Sequence, residues 1–321
     1  MSLQENTTNL RKILNSVKKL PSAGGVELPT LFAPSVFVNS YTSKLTIFDE
    51  NNGGFASMYD LYANGEFVTT LTSKTAMLAD YIEHTEVIEI QVKAKATNFN
   101  SSEFSDADDW VKFNEDGTAG LAYTLASNGT YATCIGIGEA TETDIEIAVE
   151  YNGVPVTVCK SSAFKDNTAI TSVLIPDSIT TMDSYVFSNC TSLQSVTISK
   201  GLEQINGHMF EYTALSSITI PRNIARIEAY AFQECNKLAN VIFSGNITYI
   251  GSLVFYWCGN LKRVDLSKCN SVPSLAATNA FSYTSNRLQI KVPAILIDQW
   301  KAATNWSTYA DKIVTEFTNT L

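Results

Sequence analysis

Histidine is almost missing from this chain of 321 residues: only His84 and His208 occur. Histidine-based zinc centres and Ser/His/Asp triads are therefore poorly supplied. The six cysteines, Cys134, Cys159, Cys190, Cys235, Cys258 and Cys269, include no Cys-x-x-Cys pair, which removes support for zinc ribbons and thioredoxin-type chemistry. No run of about 18 apolar residues is present, so no membrane insertion is expected. No G-x-S-x-G, P-loop, H-E-x-x-H or G-x-G-x-x-G pattern stands in a fitting context. Positive charge is also short. The 22 Lys+Arg against 32 Asp+Glu give a net charge of −10, which repels phosphate backbones and argues against a nucleic-acid partner. The first residues, Met1 to Leu14, lack the uninterrupted apolar stretch of a secretory leader, and the chain reads as made in a reducing cytoplasm.

Apolar residues are plentiful. They make up 45% of the chain against 17% charged residues, enough for packed cores in two or three domains. From Cys159 onward they recur with a period. Phe164, Phe187, Phe210, Phe232 and Phe255 lie 23, 23, 22 and 23 positions apart. The same offsets relate Ile170, Leu193, Leu215, Leu238 and Leu261, and again Val173, Val196, Ile218, Val241 and Val264. Alternation in Leu193-Gln-Ser-Val196-Thr-Ile198 predicts a short strand with one buried face, ended by proline in units such as those of Pro176 and Pro221. The segment from Ala163 to Ile170 predicts a helical or 3₁₀ turn that closes each coil. One unit cannot bury its own Phe and Leu, so stacked neighbours must. Each buried Phe contributes roughly 1.5–3 kcal/mol.

The stretch Phe187-Ser-Asn-Cys190-Thr-Ser-Leu193-Gln-Ser-Val196-Thr-Ile198 closely resembles the BspA-like (Treponema-type) leucine-rich repeat, with the pattern A-F-x-x-C-x-x-L-x-x-V-x-I-P. Ala231-Phe232 with Cys235 and Leu238, and Val254-Phe255 with Cys258 and Leu261, match it as well. Asn167 and Thr213 replace the cysteine in two units, so the position asks for a small buried group and no metal. Asn279-Ala-Phe281 and Leu288-Gln-Ile290 look like a degraded sixth unit. A helix is expected from Ala294 to Ala303, with Trp300, Trp306 and Tyr309 sealing the core; an aromatic sugar platform is the alternative for these rings. The end of the chain is similar to ends of such repeat proteins encoded by gut Firmicutes and their phages.

Upstream, Asn128-Gly129 and Asn152-Gly153 mark two turns, the second joining Ile145–Val149 to Val154–Val158. Together they resemble the β-rich N-terminal cap of the same family. Short alternating runs between residues 28 and 111 suggest an antiparallel sandwich, and Glu89–Ala94 with Ser101–Ser105 resembles the final strands of a fibronectin type III domain, which lacks here its early core tryptophan. Asp49–Gly54 lacks calcium-loop spacing and reads as a plain loop, as does the acidic run Asp106, Asp108, Asp109. Leu10, Ile13, Val17 and Leu20 form a short a/d seam that needs burial, and Pro21–Gly25 reads as a flexible linker.

The expected fold is mostly β with short helices. Residues 1–27 form an amphipathic helix and linker for anchoring or oligomerisation, 28–111 an immunoglobulin-like β-sandwich, 112–158 a β cap, 159–292 the leucine-rich-repeat solenoid and 293–321 a C-terminal helical cap. No catalytic residue, metal or cofactor is implied. Candidate contact residues are Tyr212, Tyr256 and Trp257, expected to cluster on the outer side, with Lys262, Arg263 and Asp265 on the strand face. His208 reads as a variable surface position. The domain order looks like that of virion or tail-associated proteins of Firmicutes phages. The expectation is a non-enzymatic phage structural protein, a homo-oligomer assembled in the bacterial cytoplasm and joined to other virion proteins by its N-terminal region. Its solenoid would meet a host-surface glycan or protein. A bacterial cell-surface adhesin is the alternative. A glycan-processing enzyme is the third reading, disfavoured because no paired carboxylates stand in an identifiable cleft.

Overall fold

The computed structural model describes residues 30–31, 33–39, 44–48, 56–78, 88–96, 101–102, 108–110 and 116–318. The seam of Leu10, Ile13, Val17 and Leu20, the Pro21–Gly25 linker, the Asp49–Gly54 loop and His84 lie outside the described residues. The chain divides into two compact units, Met1–Lys112 and Phe113–Leu321.

In the first unit, period-2 alternation produces two antiparallel sheets. Lys44–Phe48 pairs with Ser35–Asn39 on one side and Thr75–Met77 on the other. The second sheet runs in the order Glu66–Leu71, Met58–Ala63, Ile88–Lys95, Asp108–Trp110. Asn64-Gly65 turns its first hairpin with φ of 48° and 81°, the positive pair a two-residue loop of this kind requires. Val36, Val38, Leu45 and Ile47 from one sheet join Tyr59, Leu61, Ile90 and Val92 from the other in one core. The loop expected for the acidic run is corrected at Asp108 and Asp109, while Asp106 lies outside the described residues. Asp108 and Asp109 pair with Ile90 and Glu89 and complete the sheet as a strand, since their backbone finds ladder partners there.

The second unit is built from two columns of short parallel strands. The first column begins with Asp144–Glu146, Ser172–Leu174 and Ser195–Thr197. It resumes as Ser217–Ile220, Asn240–Phe243, Arg263–Asp265, Gln289–Lys291 and Ile313–Val314. The second column begins with Ala132–Gly136, Val154–Cys159 and Thr181–Met182, and resumes as Gln204–Ile205, Arg226–Ile227, Tyr249–Ile250 and Ser274–Leu275. The expected hairpin from Ile145–Val149 is therefore corrected. Only Glu150–Tyr151 turns back on Val154, whereas Ile145 faces Val173 as the first rung of the solenoid. Near the C-terminus, the helix expected from Ala294 to Ala303 is a 3₁₀ turn Ala294–Leu296 followed by an α-helix Ile297–Ala302. Trp300 and Trp306 are fully buried, and the indole N–H of Trp306 donates to the Pro273 carbonyl at 2.8 Å. These rings offer no open face, so the sugar platform considered for them is also corrected.

Between the strand columns runs the phenylalanine stack. Phe164, Phe187, Phe210, Phe232, Phe255 and Phe281 follow at centroid spacings of 5.2, 5.7, 5.4, 5.5 and 5.3 Å. The 26-residue step to Phe281 leaves the stack intact, since its extra residues are accommodated in the return loops. The repeat cysteines do more than fill space. Cys190, Cys235 and Cys258 each donate their thiol to the carbonyl of the preceding coil's Phe, at 3.1, 3.0 and 3.1 Å. Burial pushes the Cys190 thiol up to about 12 and that of Cys269 up to about 11, as expected of inert structural thiols.

The coils of Phe187 and Phe210 meet differently from the rest. Among the described residues, no strand pairing joins Ser195–Thr197 to Ser217–Ile220, or Thr181–Met182 to Gln204–Ile205. The link from ladder Phe to strand valine shortens at this point, from nine positions (Phe187 to Val196) to eight (Phe210 to Ile218). Thr213, in the cysteine position, turns its hydroxyl to the carbonyl of its own Phe210 at 2.9 Å instead of reaching the previous coil. Side chains bridge the gap. The Asn206 amide donates to the Met182 carbonyl, where a backbone N–H would otherwise stand. Ser188 donates to buried Glu211 at 2.7 Å, and Glu211 meets His208 Nδ1 at 2.5 Å.

Candidate binding surface

A helical continuation through the Phe turns would direct each N–H back to a carbonyl of its own coil. These turns do not continue as helix. The residue two before the ladder Phe is left-handed in Ser162, Tyr185, His208, Tyr230 and Leu253, with φ of 57–64°. The residue two after it is left-handed in Asp166, Asn189, Tyr212, Glu234, Trp257 and Tyr283, with φ of 57–62°. Each such non-glycine residue costs about 1–2 kcal/mol. The return is three interstrand-like bonds per coil: Tyr185, Phe187 and Asn189 donate to Gly207, Met209 and Glu211 of the next coil at 3.2, 2.9 and 2.9 Å. The helical turn expected from the sequence is thus corrected to a laddered turn, whose two left-handed columns flank the buried Phe.

The column after Phe carries the exposed aromatics. Trp257 and Tyr283 stack at 5.1 Å with 29° between ring planes, and Tyr256 packs edge-on against both, at 6.3 and 5.3 Å. Trp257 remains 46% exposed and Tyr283 64%. The expected trio of Tyr212, Tyr256 and Trp257 is corrected: Glu234 stands between Tyr212 and Trp257 on this column, and Tyr283 takes the third place. Tyr283 is absent from the contact residues expected from the sequence, because the 26-residue step from Phe255 to Phe281 obscures its contact with Trp257.

The column before Phe differs. His208 lies between Tyr185 and Tyr230 at 4.3 and 4.6 Å, with the three rings nearly parallel. It is therefore a partly buried member of a stack and not a variable surface residue. Lys262, Arg263 and Asp265 belong to the strand face, apart from the aromatic turn. There the chain's end crosses the sheet: Arg263 and Lys291 lie over the Phe317 ring at 5.4 and 5.7 Å, and Lys291 approaches Asp265 at 4.0 Å and Glu316 at 3.3 Å. A further feature, unsuspected from sequence, opens at the unpaired junction. A groove of about 430 Å³ is lined by Thr180, Thr181, Met182, Glu203, Gln204 and Asn206. Among the described residues, no cluster of His, Cys, Asp and Glu is placed to hold a metal ion, and no helix is long and apolar enough to cross a membrane.

The sequence profile of the BspA type leucine rich repeat region matches residues 157–291 in six copies. Residues 157–291 thus carry the repeat pattern of that profile. The BspA-type repeats are also similar to solved structures. The leucine rich repeat protein of T. pallidum is 19% identical with a TM-score of 0.46, covering 62% of this chain and 97% of that one. A leucine rich cell surface protein from Faecalibacterium prausnitzii is 19% identical with a TM-score of 0.38, over 65% of this chain and 46% of that one. The pneumococcal vaccine antigen PcpA is 20% identical with a TM-score of 0.43, over 57% of this chain and 51% of that one. This chain thus spans about half the length of the last two. Comparison with curated protein sequences gives no match. The BspA-type repeats build a solenoid of a kind typically used as a non-enzymatic binding scaffold, and no catalytic family is indicated. Nothing in these matches points to a phage particle.

Proposed function

We propose that this protein is a non-catalytic recognition scaffold of a bacterial cell surface, an adhesin in type, whose contact surface is the aromatic column of the laddered turns. The observation that carries the proposal is the Trp257–Tyr283 pair, left 46% and 64% exposed on a backbone fixed by hydrogen bonds to neighbouring coils. Exposed aromatic anchors on a rigid scaffold are what protein interfaces concentrate. The fold does not need them: Asp166, Asn189 and Glu234 occupy the same column in other coils. Cell-surface placement is carried over from the description of the F. prausnitzii protein as part of the proposal. The same proposal assigns residues 28–111 to an immunoglobulin-like or fibronectin type III sandwich and the Leu10–Leu20 seam to anchoring or self-association.

The proposal is tested with labelled full-length protein on cultured epithelial cells and on bacterial cells, read by flow cytometry. Saturable binding is expected. Trp257→Asn with Tyr283→Asn should weaken it by about tenfold, which corresponds to about 1.4 kcal/mol. Binding that the double variant retains in full would remove this column as the contact surface.

A further inference from the structure

The kind of partner can be narrowed, on the reading that the aromatic column is the contact surface. Trp257 and Tyr283 stack on each other at 5.1 Å, so the rings enclose no central void for a caged cation. What they leave open are outer ring faces and edges. The carboxylate of Glu234 stands one coil away on the same column, with its backbone N–H donating to the Tyr256 carbonyl at 2.8 Å. With a net charge of −10 behind it, this surface disfavours phosphorylated or otherwise anionic partners. Polar groups are linked to one another on the coils of Glu234 and Trp257. Asn236 donates to Glu234 Oε2 at 3.4 Å, and Asn260 donates to the Asn236 carbonyl at 2.6 Å. Apolar ring surface one coil away from a carboxylate matches the two chemistries of a neutral pyranose. Its C–H face lies on an aromatic ring, and its hydroxyls at the rim donate and accept hydrogen bonds.

The column also has a length. Tyr212, 43% exposed, precedes Trp257 by two ladder steps of 5.4 and 5.5 Å, with Glu234 at the step between. That is a span bridged by consecutive sugars of a linear chain and not by a single one. We propose that Tyr212, Glu234, Trp257 and Tyr283 bind a linear neutral glycan laid along the solenoid axis. Sugar C–H groups pack on Tyr212 and on the outer faces and edges left open by the Trp257–Tyr283 pair, and Glu234 takes the hydroxyls between them.

The test titrates the full chain with four linear hexasaccharides, of β-1,4-glucose, α-1,4-glucose, β-1,4-mannose and β-1,4-N-acetylglucosamine, and with the matching disaccharides. Tryptophan fluorescence and calorimetry are the readouts. At least one hexasaccharide is expected to bind saturably, and about tenfold more tightly than its disaccharide. Trp257→Asn should weaken it by about tenfold or more, whereas Trp257→Phe, which keeps a ring, should lose less. Asn is chosen because Asn189 already occupies this column with φ of 61°, so the variant folds, which an unchanged melting temperature verifies. Failure of all four hexasaccharides, or equal binding by Trp257→Asn, overturns the glycan inference. If cell binding nevertheless persists and depends on Trp257, the contact surface stands with a protein partner. If Trp257→Asn alters neither, both readings fall.

Discussion

Most coils of the solenoid are joined three times, along two strand columns and along the laddered turn. The coils of Phe187 and Phe210 are joined along the turn alone, with side chains bridging what remains. The phenylalanine stack crosses this junction at 5.7 Å, its widest step, against 5.2–5.5 Å elsewhere. Val196 beside it is only partly buried, whereas Val173, Ile218, Val241 and Val264 in the same column are buried. The turn is therefore sufficient to hold two coils in register. The strand columns add stability without being what defines the stack.

If so, removing the stack at the junction is the most damaging single change. Phe210→Ala should cost about 3–5 kcal/mol, since it leaves a cavity in the one continuous column. Chemical denaturation should show it, with a separate early transition for one side of the junction. An unchanged midpoint would mean that the turn does not carry the register. A smaller loss is expected from Glu211→Ala. It strands the Ser188 hydroxyl and the His208 ring nitrogen, for about 1–3 kcal/mol. Glu228→Ala, which removes a pair with Arg226 at 2.9 Å on the surface of a fully laddered coil, should cost under about 1 kcal/mol. Equal losses in the two variants would erase the distinction between junction and ordinary coil. Asn206→Ala removes a single bridging hydrogen bond, for about 1 kcal/mol. Its sharper readout is hydrogen exchange. The amides of Gln204 and Asn206 should exchange faster than those of Glu228 and Gly251, which donate to Ile205 and Ile227 at 2.9 and 2.8 Å.

The Phe, Leu and Val columns were readable in the sequence because buried positions tolerate few residue types and so repeat visibly. Strand positions followed from the same apolar alternation. The left-handed columns were not readable. A positive φ usually announces itself as glycine, yet these positions carry Tyr, His, Leu, Trp and Glu, paid for by hydrogen bonds to the next coil that no single repeat reveals. Asp166 and Asn189 were the available hint, since Asp and Asn are the non-glycine residues that best tolerate this conformation. The rung Asp144–Glu146 was missed because Asn152-Gly153 is a strong local hairpin signal, and a parallel partner 28 residues away leaves no local trace. The unpaired junction left one mark, the single 22-residue step, whose meaning depends on three-dimensional pairing. The aromatic contact surface was half visible: Trp257 and Tyr256 stood out as exposed aromatics, but their neighbour was decided by which residue stacks across the irregular last step.

The laddered turns also give the solenoid an electrical direction. Successive peptide groups at 184/185, 207/208 and 229/230 are linked head to tail: each accepts from the coil before and donates to the coil after. The peptides that donate through Phe and through the residue two beyond it form two more rows with the same sense. Three rows of aligned peptide dipoles therefore run along the axis at right angles to the chain, as the hydrogen-bonded rows of peptides run along an α-helix. Their N–H ends point toward the C-terminal coil, where positive potential accumulates and open donors would be left, as at a helix N-terminus. Two of the three rows end on side-chain oxygens there: Leu253 donates to Asn279 Oδ1 at 3.3 Å, and Phe281 to the Tyr309 hydroxyl at 3.2 Å. These two residues serve the stack as Ser or Asp serves a helix, so the solenoid is capped electrostatically as well as sterically.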